Sequence, residues 1–211
     1  KKKLSIPLHG NKSISFDTIE LISKKKIKRM NINKINRLNK NIKKKVLLDL
    51  KKVSKKKKIK GLEFSNLPIL MGVLNLTPNS FSDGGRYTRQ NQGFYHAKKL
   101  ISDGCSILDI GGEATNPGSR EVPSEKEWKR ILPTLLKLKR FRKFISLDTR
   151  KSIIMEKGIK NKINLVNDVS GLEHDSKTIE VLKKTNIPFV IHHTKGNPET
   201  MQNNPKYENV L

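Results

Sequence analysis

Cysteine is nearly absent from the chain, because Cys105 is the only one and has no second cysteine with which to form a disulfide. We therefore expect a reducing compartment, with Cys105 acting as a small buried hydrophobe. Long apolar runs are also missing, since no stretch approaches the roughly 18 residues that a membrane span requires. The Lys-rich start lacks the apolar core of a secretory signal, so the sequence predicts a cytoplasmic protein without a membrane segment.

Aromatic residues and arginines are scarce where the charge is highest. The formal net charge is +26, and residues 1–60 carry 20 Lys and 2 Arg against three carboxylates. Such a basic segment would ordinarily suggest nucleic acid as a partner. Phe16 is its only aromatic residue, whereas nucleic-acid-binding surfaces commonly use arginine for bidentate contacts and aromatics for stacking. We expect a Lys-rich N-terminal extension with short strands, and nucleic-acid binding is the less favoured alternative.

From Pro68 onward, short apolar runs alternate with amphipathic stretches of helical spacing. This alternation predicts βα units around a parallel sheet whose strands are buried on both faces. The sequence therefore predicts two domains, an extension over residues 1–60 and a partial barrel over residues 61–211. The predicted strands are 69–74, 106–110, 144–147, 163–166 and 189–191, and the predicted helices lie near 91–103, 124–142, 151–158 and 175–185, with another opening at Asn204.

A polar residue stands at the carboxyl end of each predicted strand. In a closed (β/α) barrel these ends carry the active site, so five such positions predict a ring of polar groups on one rim. A helix cap explains any one of them, and an open doubly wound sheet would also place polar groups there. We predict an α/β fold, a (β/α)8 TIM barrel of which about the first five βα units are present. The residues are Asn75, Asp109, Asp148, Asn167 with Asp168, and His192 with His193.

Two glycine-containing loops follow the first two predicted strands. Residues 75–85 read Asn-Leu-Thr-Pro-Asn-Ser-Phe-Ser-Asp-Gly-Gly, a hydroxyl-rich loop whose glycines allow backbone N–H groups to approach an anion. Phe81, between two serines, indicates a lid that covers a ligand. Residues 109–113 read Asp-Ile-Gly-Gly-Glu, and the paired glycines there allow close backbone approach beside the polar side chains of Glu113 and Thr115.

These two segments together resemble the signature segments of dihydropteroate synthases. Residues 145–149, 166–170 and 196–202 are similar to that family's third, fourth and fifth strand-end motifs, and the resemblance covers about Pro68 to Leu211. It implies a transferase of folate biosynthesis with a (β/α)8 barrel. Such an enzyme condenses 6-hydroxymethyl-7,8-dihydropterin pyrophosphate with 4-aminobenzoate, giving 7,8-dihydropteroate and pyrophosphate.

The resemblance also implies roles for individual residues. Asn75 would bind magnesium, a hard cation that accepts amide and phosphate oxygens. Phe81 and Asp83 would act in catalysis by closing the first loop over the site, with the Asp83 carboxylate stabilising a cationic methylene-pterin. The substrate-binding residues would be Thr115, Asn116, Asp148, Asn167 and His192.

The chain departs from the family pattern at three positions. Asn116 stands where the family usually has an arginine, which removes a bidentate contact to pyrophosphate. His192 stands where a methionine is common, and Asn79 replaces an aspartate. These departures keep two alternatives open, a catalytically silent homologue and a methyltetrahydrofolate-type pterin-binding barrel. The family's further contacts would lie beyond Leu211, so we expect this fragment alone to be inactive, and a homodimer only of the full-length protein.

Overall fold

The chain forms two compact units, Lys1–Pro68 and Ile69–Leu211, and each has a hydrophobic core of its own. Within the part of the chain that is described, no helix is both long enough and apolar enough to cross a membrane. The computed structural model describes residues 4–11, 13–24, 26–56, 58–63, 68–77, 91–116, 118–193, 196, 200–202 and 206–208.

In the part of the first unit that the structure describes, the strands form three antiparallel pairs. The longest pair is a hairpin whose second strand, Lys26–Asn31, buries only the Met30 side chain. Because one buried side chain in six residues leaves no visible alternation, the sequence did not predict this strand. The pairs are β1 (Ile6–Pro7) with β2 (Ser15–Phe16), β3 (Thr18–Ser23) with β4 (Lys26–Asn31), and β5 (Lys58–Ile59) with β6 (Leu62–Glu63).

Among the described residues of the first unit, one segment is α-helical, α1 (Lys40–Ser54). It begins after Asn39, whose side chain accepts a hydrogen bond from the Ile42 N–H over 3.0 Å and so caps the helix. Val46 is its only buried residue and packs with Ile32 and Ile35 in a small core. Such a limited apolar contact is in keeping with a segment dominated by lysine.

The second unit alternates strands with helices, as the sequence predicts. Five parallel strands form one sheet in the order β11-β10-β9-β8-β7, which confirms the predicted α/β arrangement of about five βα units. Asn204, where a further helix was predicted, lies outside the described residues. The elements are β7 (Met71–Asn75), α2 (Gln92–Ser102), β8 (Ile107–Gly111), α3 (Ser124–Leu138), β9 (Phe144–Asp148), α4 (Ser152–Lys160), β10 (Leu165–Asp168), α5 (Thr178–Thr185) and β11 (Phe189–Ile191).

One face of this sheet is apolar and packs against helices. Alternate strand residues such as Leu74, Ile110 and Leu147 are fully buried in the main core together with Ile131 of α3 and Ile154 of α4. Because side chains alternate between the two faces of a strand, the residues between these positions point to the opposite face. The polar residues near the strand ends lie on that opposite face.

Candidate functional site at the strand carboxyl ends

The carboxyl-terminal parts of four neighbouring strands are aligned in one row across the sheet. Asn75 is in register with Gly111, Gly111 with Asp148, and Asp148 with Asn167. Residues in register on parallel strands point to the same face, so these side chains share one side of the sheet. A Cβ on Gly111 would lie 3.2 Å from Asp148 Oδ2 and 3.6 Å from Asn75 Oδ1. The glycine therefore leaves open a space bordered by both oxygens.

Asp109 lies deeper than the sequence predicts. We expected it to end its strand, but β8 continues through Gly111, whose backbone is in register with both neighbouring strands. Two residues before Gly111, Asp109 occupies the same face one layer below the rim, in register with Ser146. It is 5% exposed, and its Oδ2 accepts a hydrogen bond from Asn167 Nδ2 over 2.9 Å.

His192 follows β11 and meets the same group of side chains. Its Nε2 lies 3.0 Å from Asn167 Oδ1. A chain of two hydrogen bonds thus runs from His192 through the amide of Asn167 to Asp109. The structure brings together Asn75, Asp148, Asn167 and His192, whose roles in binding stay predictions.

Several buried oxygens on this face have no hydrogen-bond partner among the described residues. They are Asp109 Oδ1, Ser146 Oγ and Asp148 Oδ1. A buried polar atom without a partner costs about 1–3 kcal/mol, so native proteins rarely leave three side by side without a function. Their arrangement fits a ligand with several hydrogen-bond donors on one edge.

The carboxyl group of Asp148 is harder to ionise than an ordinary aspartate. Burial raises its pKa to about 7, and the negative charge of Asp109 contributes in the same direction, followed by smaller effects of Glu127, Asp168 and Glu113. Near neutral pH the group is therefore present in both protonation states. It can accept a hydrogen bond in one state and donate one in the other.

Behind the rim lies a buried ion-pair network that sequence reasoning missed. Lys151 Nζ lies 2.5 Å from Glu113 Oε2 and 2.8 Å from Glu127 Oε2. Arg150 Nε lies 2.7 Å from Glu113 Oε1, and Thr149 donates to Glu127 Oε1 over 2.6 Å. These contacts tie the loop after β8, which carries Glu113, to the residues after β9 and to the first turn of α3.

The network also sets the ionisation of Glu113. Burial would raise the pKa of this carboxyl, but hydrogen bonds from Lys151, the Val122 N–H and Arg150 together hold it below its ordinary value. Nothing in the sequence signals the burial of Glu127, because an acidic residue in the first turn of a helix is expected on an exposed surface too. The adjacent cations Arg150 and Lys151, close after the strand end at Asp148, are the signal in the sequence that could have indicated the network.

The other residues with predicted roles lie in loops, and the structure describes two of them, Thr115 and Asn116. Thr115 is half-buried in the loop after β8. Asn116 is exposed, and its side-chain oxygen accepts a hydrogen bond from Ser119 Oγ over 2.9 Å within the same loop. Phe81 and Asp83 lie outside the described residues, as does Asn79.

Among the described residues, Asn75 is the side chain at the rim that could contribute to a metal site. Within the described ranges, no group of three or more His, Cys, Asp or Glu side chains is arranged to bind a metal ion. Asn75 offers one amide oxygen at the rim, beside Asp148 Oδ2 across Gly111. Magnesium commonly keeps several waters and takes its remaining ligands from a carboxylate and from substrate phosphates. Asn75 therefore fits a magnesium ion that binds together with a diphosphate.

A sequence model of the pterin-binding enzymes matches residues 71–211, the span that contains the sheet and its polar rim. The chain belongs to the pterin-binding enzyme family. Among its relatives, a dihydropteroate synthase of Neisseria meningitidis serogroup B is 44% identical over 147 residues, which cover 68% of this chain and 51% of the relative. A dihydropteroate synthase of Escherichia coli K12 is 39% identical over 145 residues, with 68% of this chain and 51% of the relative covered.

Solved structures of pterin-binding enzymes share the same fold. A Yersinia pestis dihydropteroate synthase in complex with a sulfonamide drug superimposes with a TM-score of 0.64 at 36% identity, covering 72% of this chain and 56% of that one. A Burkholderia cenocepacia dihydropteroate synthase complexed with 7,8-dihydropteroate gives a TM-score of 0.56 at 31% identity, covering 67% and 46%. The chain thus spans about half the length of the relatives it matches.

Proposed function

We propose that the protein to which this pterin-binding domain belongs is a dihydropteroate synthase. It would condense 6-hydroxymethyl-7,8-dihydropterin pyrophosphate with 4-aminobenzoate and release pyrophosphate. The observation that supports this most directly is the row of Asn75, Gly111, Asp148 and Asn167 at the strand ends. The names of the similar enzymes from Neisseria and Escherichia agree with it.

The pterin would bind through its amino-pyrimidine edge. That edge carries adjacent hydrogen-bond donors and acceptors, and a carboxyl group beside an amide presents the complementary pattern. Asp148 and Asn167 are adjacent in register and point to the same face. The raised pKa of Asp148 makes its carboxyl able to match either a donor or an acceptor on the ring. His192 would contact the pterin next to Asn167.

The diphosphate would lie above the rim, near the loop after β8. Thr115 and Asn116 in that loop would contact its oxygens, and Asn75 would contribute an amide oxygen to a magnesium ion bound with the substrate. When bound, magnesium would neutralise charge on the departing pyrophosphate. Gly111 adds no side chain, so the rim next to Asn75 has room for a ligand. Asn75 is neutral and therefore adds no negative charge that would repel a diphosphate.

Catalysis would require closure of the first loop over the bound substrates. Phe81 would help to exclude water and shape the aminobenzoate pocket, and Asp83 would stabilise the cationic methylene-pterin left by departure of pyrophosphate. The amine of 4-aminobenzoate would then form a C–N bond to that methylene carbon and lose a proton to water. The homodimer and the cytoplasmic location complete this proposal as predictions for the whole protein.

Binding and turnover measurements on the protein expressed from the complete gene test the proposal. Calorimetry should detect binding of the pterin pyrophosphate that weakens when magnesium is removed, and chromatography should detect 7,8-dihydropteroate when 4-aminobenzoate is added. In Asn75→Ala, the increase in affinity for the pterin pyrophosphate that magnesium causes should be smaller by about tenfold or more, since a bound metal would lose one ligand. Absence of both binding and product in the wild type would exclude the function.

One observation favours a second candidate, a catalytically silent pterin-binding homologue. The Asn116 side chain hydrogen-bonds to Ser119 within its own loop, where the family pattern would place an arginine able to reach a diphosphate. A silent homologue would bind the pterin pyrophosphate and release no product. Asn116→Arg distinguishes the two, because a weakened synthase should gain affinity for the pyrophosphate substrate, and a silent protein should still form no dihydropteroate.

A further inference from the structure

The orientation of the Asn167 side chain is determined by its two neighbours. Asp109 lies on β8 and Asn167 on β10, so their 2.9 Å hydrogen bond crosses above β9. On β9, Ser146 is in register with Asp109 and Asp148 is in register with Asn167. The hydrogen bond therefore passes between the positions of Ser146 and Asp148. Asp109 and Asn167 are 5% and 8% exposed, so water competes little for this contact.

The chemistry of the two neighbours leaves one consistent arrangement of protons. A carboxylate only accepts hydrogen bonds, so Asp109 requires the amide nitrogen of Asn167 to face it. The amide oxygen then faces His192, whose Nε2 lies 3.0 Å away and must carry the hydrogen. Asp109 and His192 together therefore select one of the two orientations that an asparagine amide can adopt.

This selection decides what Asn167 can offer to a ligand. An amide has two N–H groups and two lone pairs on its oxygen, and one of each is already used. One N–H and one lone pair remain. They form a donor beside an acceptor in a fixed order, and a reversed amide would present the opposite order.

We propose that Asp109 and His192 are positioning residues that fix the Asn167 amide and thereby determine which face of a heterocycle the site accepts. The inference rests on the proposed function, since the heterocycle is the pterin. Asp109 accepts a hydrogen bond from the amide nitrogen on the buried side, and His192 donates one to the amide oxygen from the rim. His192 is thus assigned to ordering Asn167, in addition to any contact of its own with the ligand.

Matched variants of His192 in the protein expressed from the complete gene test the proposal. His192→Gln keeps an N–H donor for Asn167, whereas His192→Leu removes it at similar size. We expect His192→Leu to raise the dissociation constant for the pterin pyrophosphate by about tenfold or more, because a buried amide would lose its partner and its single orientation. His192→Gln should raise this dissociation constant clearly less than His192→Leu does, because it keeps a donor for the Asn167 oxygen.

A second variant examines the other side of the amide. The Asp109→Asn side chain can either accept or donate toward Asn167, so it no longer selects one orientation. We expect the same selective loss of pterin affinity, with the KM for 4-aminobenzoate changed by less than about twofold. Equal effects of His192→Gln and His192→Leu, or a parallel loss for both substrates, would show that these residues only support the fold.

The side-chain amide of Asn167 gives a readout that does not depend on the function. In protein labelled with ¹⁵N-asparagine, its N–H₂ signals can be assigned by their loss in Asn167→Asp. Rotation of the whole amide group about the Cβ–Cγ bond, which is the motion that reverses its orientation, should be slow in the wild type. It should be clearly faster in Asp109→Asn and His192→Leu. Fast rotation in the wild type would overturn the positioning role even if pterin binds, whereas slow rotation without pterin binding would refute only the proposed function.

Discussion

Lys151 and Glu113 form an ion pair of 2.5 Å with side chains only 6% and 4% exposed. The pair is part of a network, because Lys151 also contacts Glu127. Lys151 is buried, so water does not screen these contacts well. Among the described residues, removing the cation would leave the buried Glu127 with only the hydroxyl of Thr149 and would leave Glu113 with Arg150 as its remaining cation. We expect Lys151→Met to destabilise the Ile69–Leu211 unit by about 3–5 kcal/mol. Denaturant unfolding followed by the fluorescence of Trp128, the only tryptophan, measures this.

Lys99→Ala is the matched control for this substitution. Lys99 pairs with Asp103 at 2.8 Å, but the two side chains are 71% and 56% exposed. Exposed ion pairs contribute little, so the loss should stay below about 1 kcal/mol. If Lys151→Met were no more harmful than Lys99→Ala, the buried network would not hold the loop after β8 in place.

Two adjacent glycines face different surroundings and should respond differently to a methyl group. A Cβ on Gly112 would lie 2.7 Å from the backbone oxygen of Glu127 and 2.9 Å from Ile131 Cγ1, both on α3. Backbone cannot yield as a side chain does, so the helix would have to shift. We expect Gly112→Ala to lower the free energy of unfolding by about 1–3 kcal/mol, again measured by denaturation.

Gly111→Ala should affect the site instead. Its Cβ would lie 3.2 Å from Asp148 Oδ2, a side-chain atom and not backbone, and would border the space beside Asn75. Stability should change by less than about 1 kcal/mol, while affinity for the pterin pyrophosphate should fall by about tenfold because the rim is partly filled. Titration calorimetry measures the second effect. Equal losses of stability in the two variants would contradict the assignment of Gly111 to the open rim.

Much of the sheet could be predicted from the sequence because its signal is local. Apolar runs ending in polar residues indicated all five strands, and the end of β9 at Asp148 was one residue beyond the prediction. The depth of Asp109 was not predictable in the same way. It depends on how far β8 continues in register with β7 and β9, which is a property of pairing between distant segments.

The ion-pair network could not be predicted for a related reason. Arg150 and Lys151 follow Asp148 in a segment whose sequence is equally typical of a solvated loop, and their carboxylate partners lie 24 to 38 residues away along the chain. Charged side chains are rarely buried unless paired, so a single sequence favours exposure for each of them taken alone. Only the folded arrangement identifies the partner.

The raised pKa of Asp148 has a consequence for stability. In the folded protein this pKa is about 7, against an ordinary value of 3.8. Between pH 3.8 and about 7, the folded state keeps a proton on Asp148 that the unfolded state releases. The contribution of Asp148 to stability is therefore complete at low pH and is lost as the pH rises through 7. From pH 5 to pH 8 the Ile69–Leu211 unit should lose roughly 2–3 kcal/mol from this group. Denaturant unfolding at several pH values measures the slope.

Asp148→Asn should remove that slope, because an amide resembles the neutral acid and does not titrate. Asp103→Asn is the control, since Asp103 is an exposed carboxyl whose side chain pairs only with Lys99 among the contacts described, and it should leave the slope unchanged. Measurements should stay above pH 5, because the pKa of Glu113 lies below its ordinary value and its ion pairs weaken only in stronger acid. If the wild type and Asp148→Asn showed the same dependence on pH, Asp148 would be ionised at neutral pH, and it would only accept hydrogen bonds from a ligand.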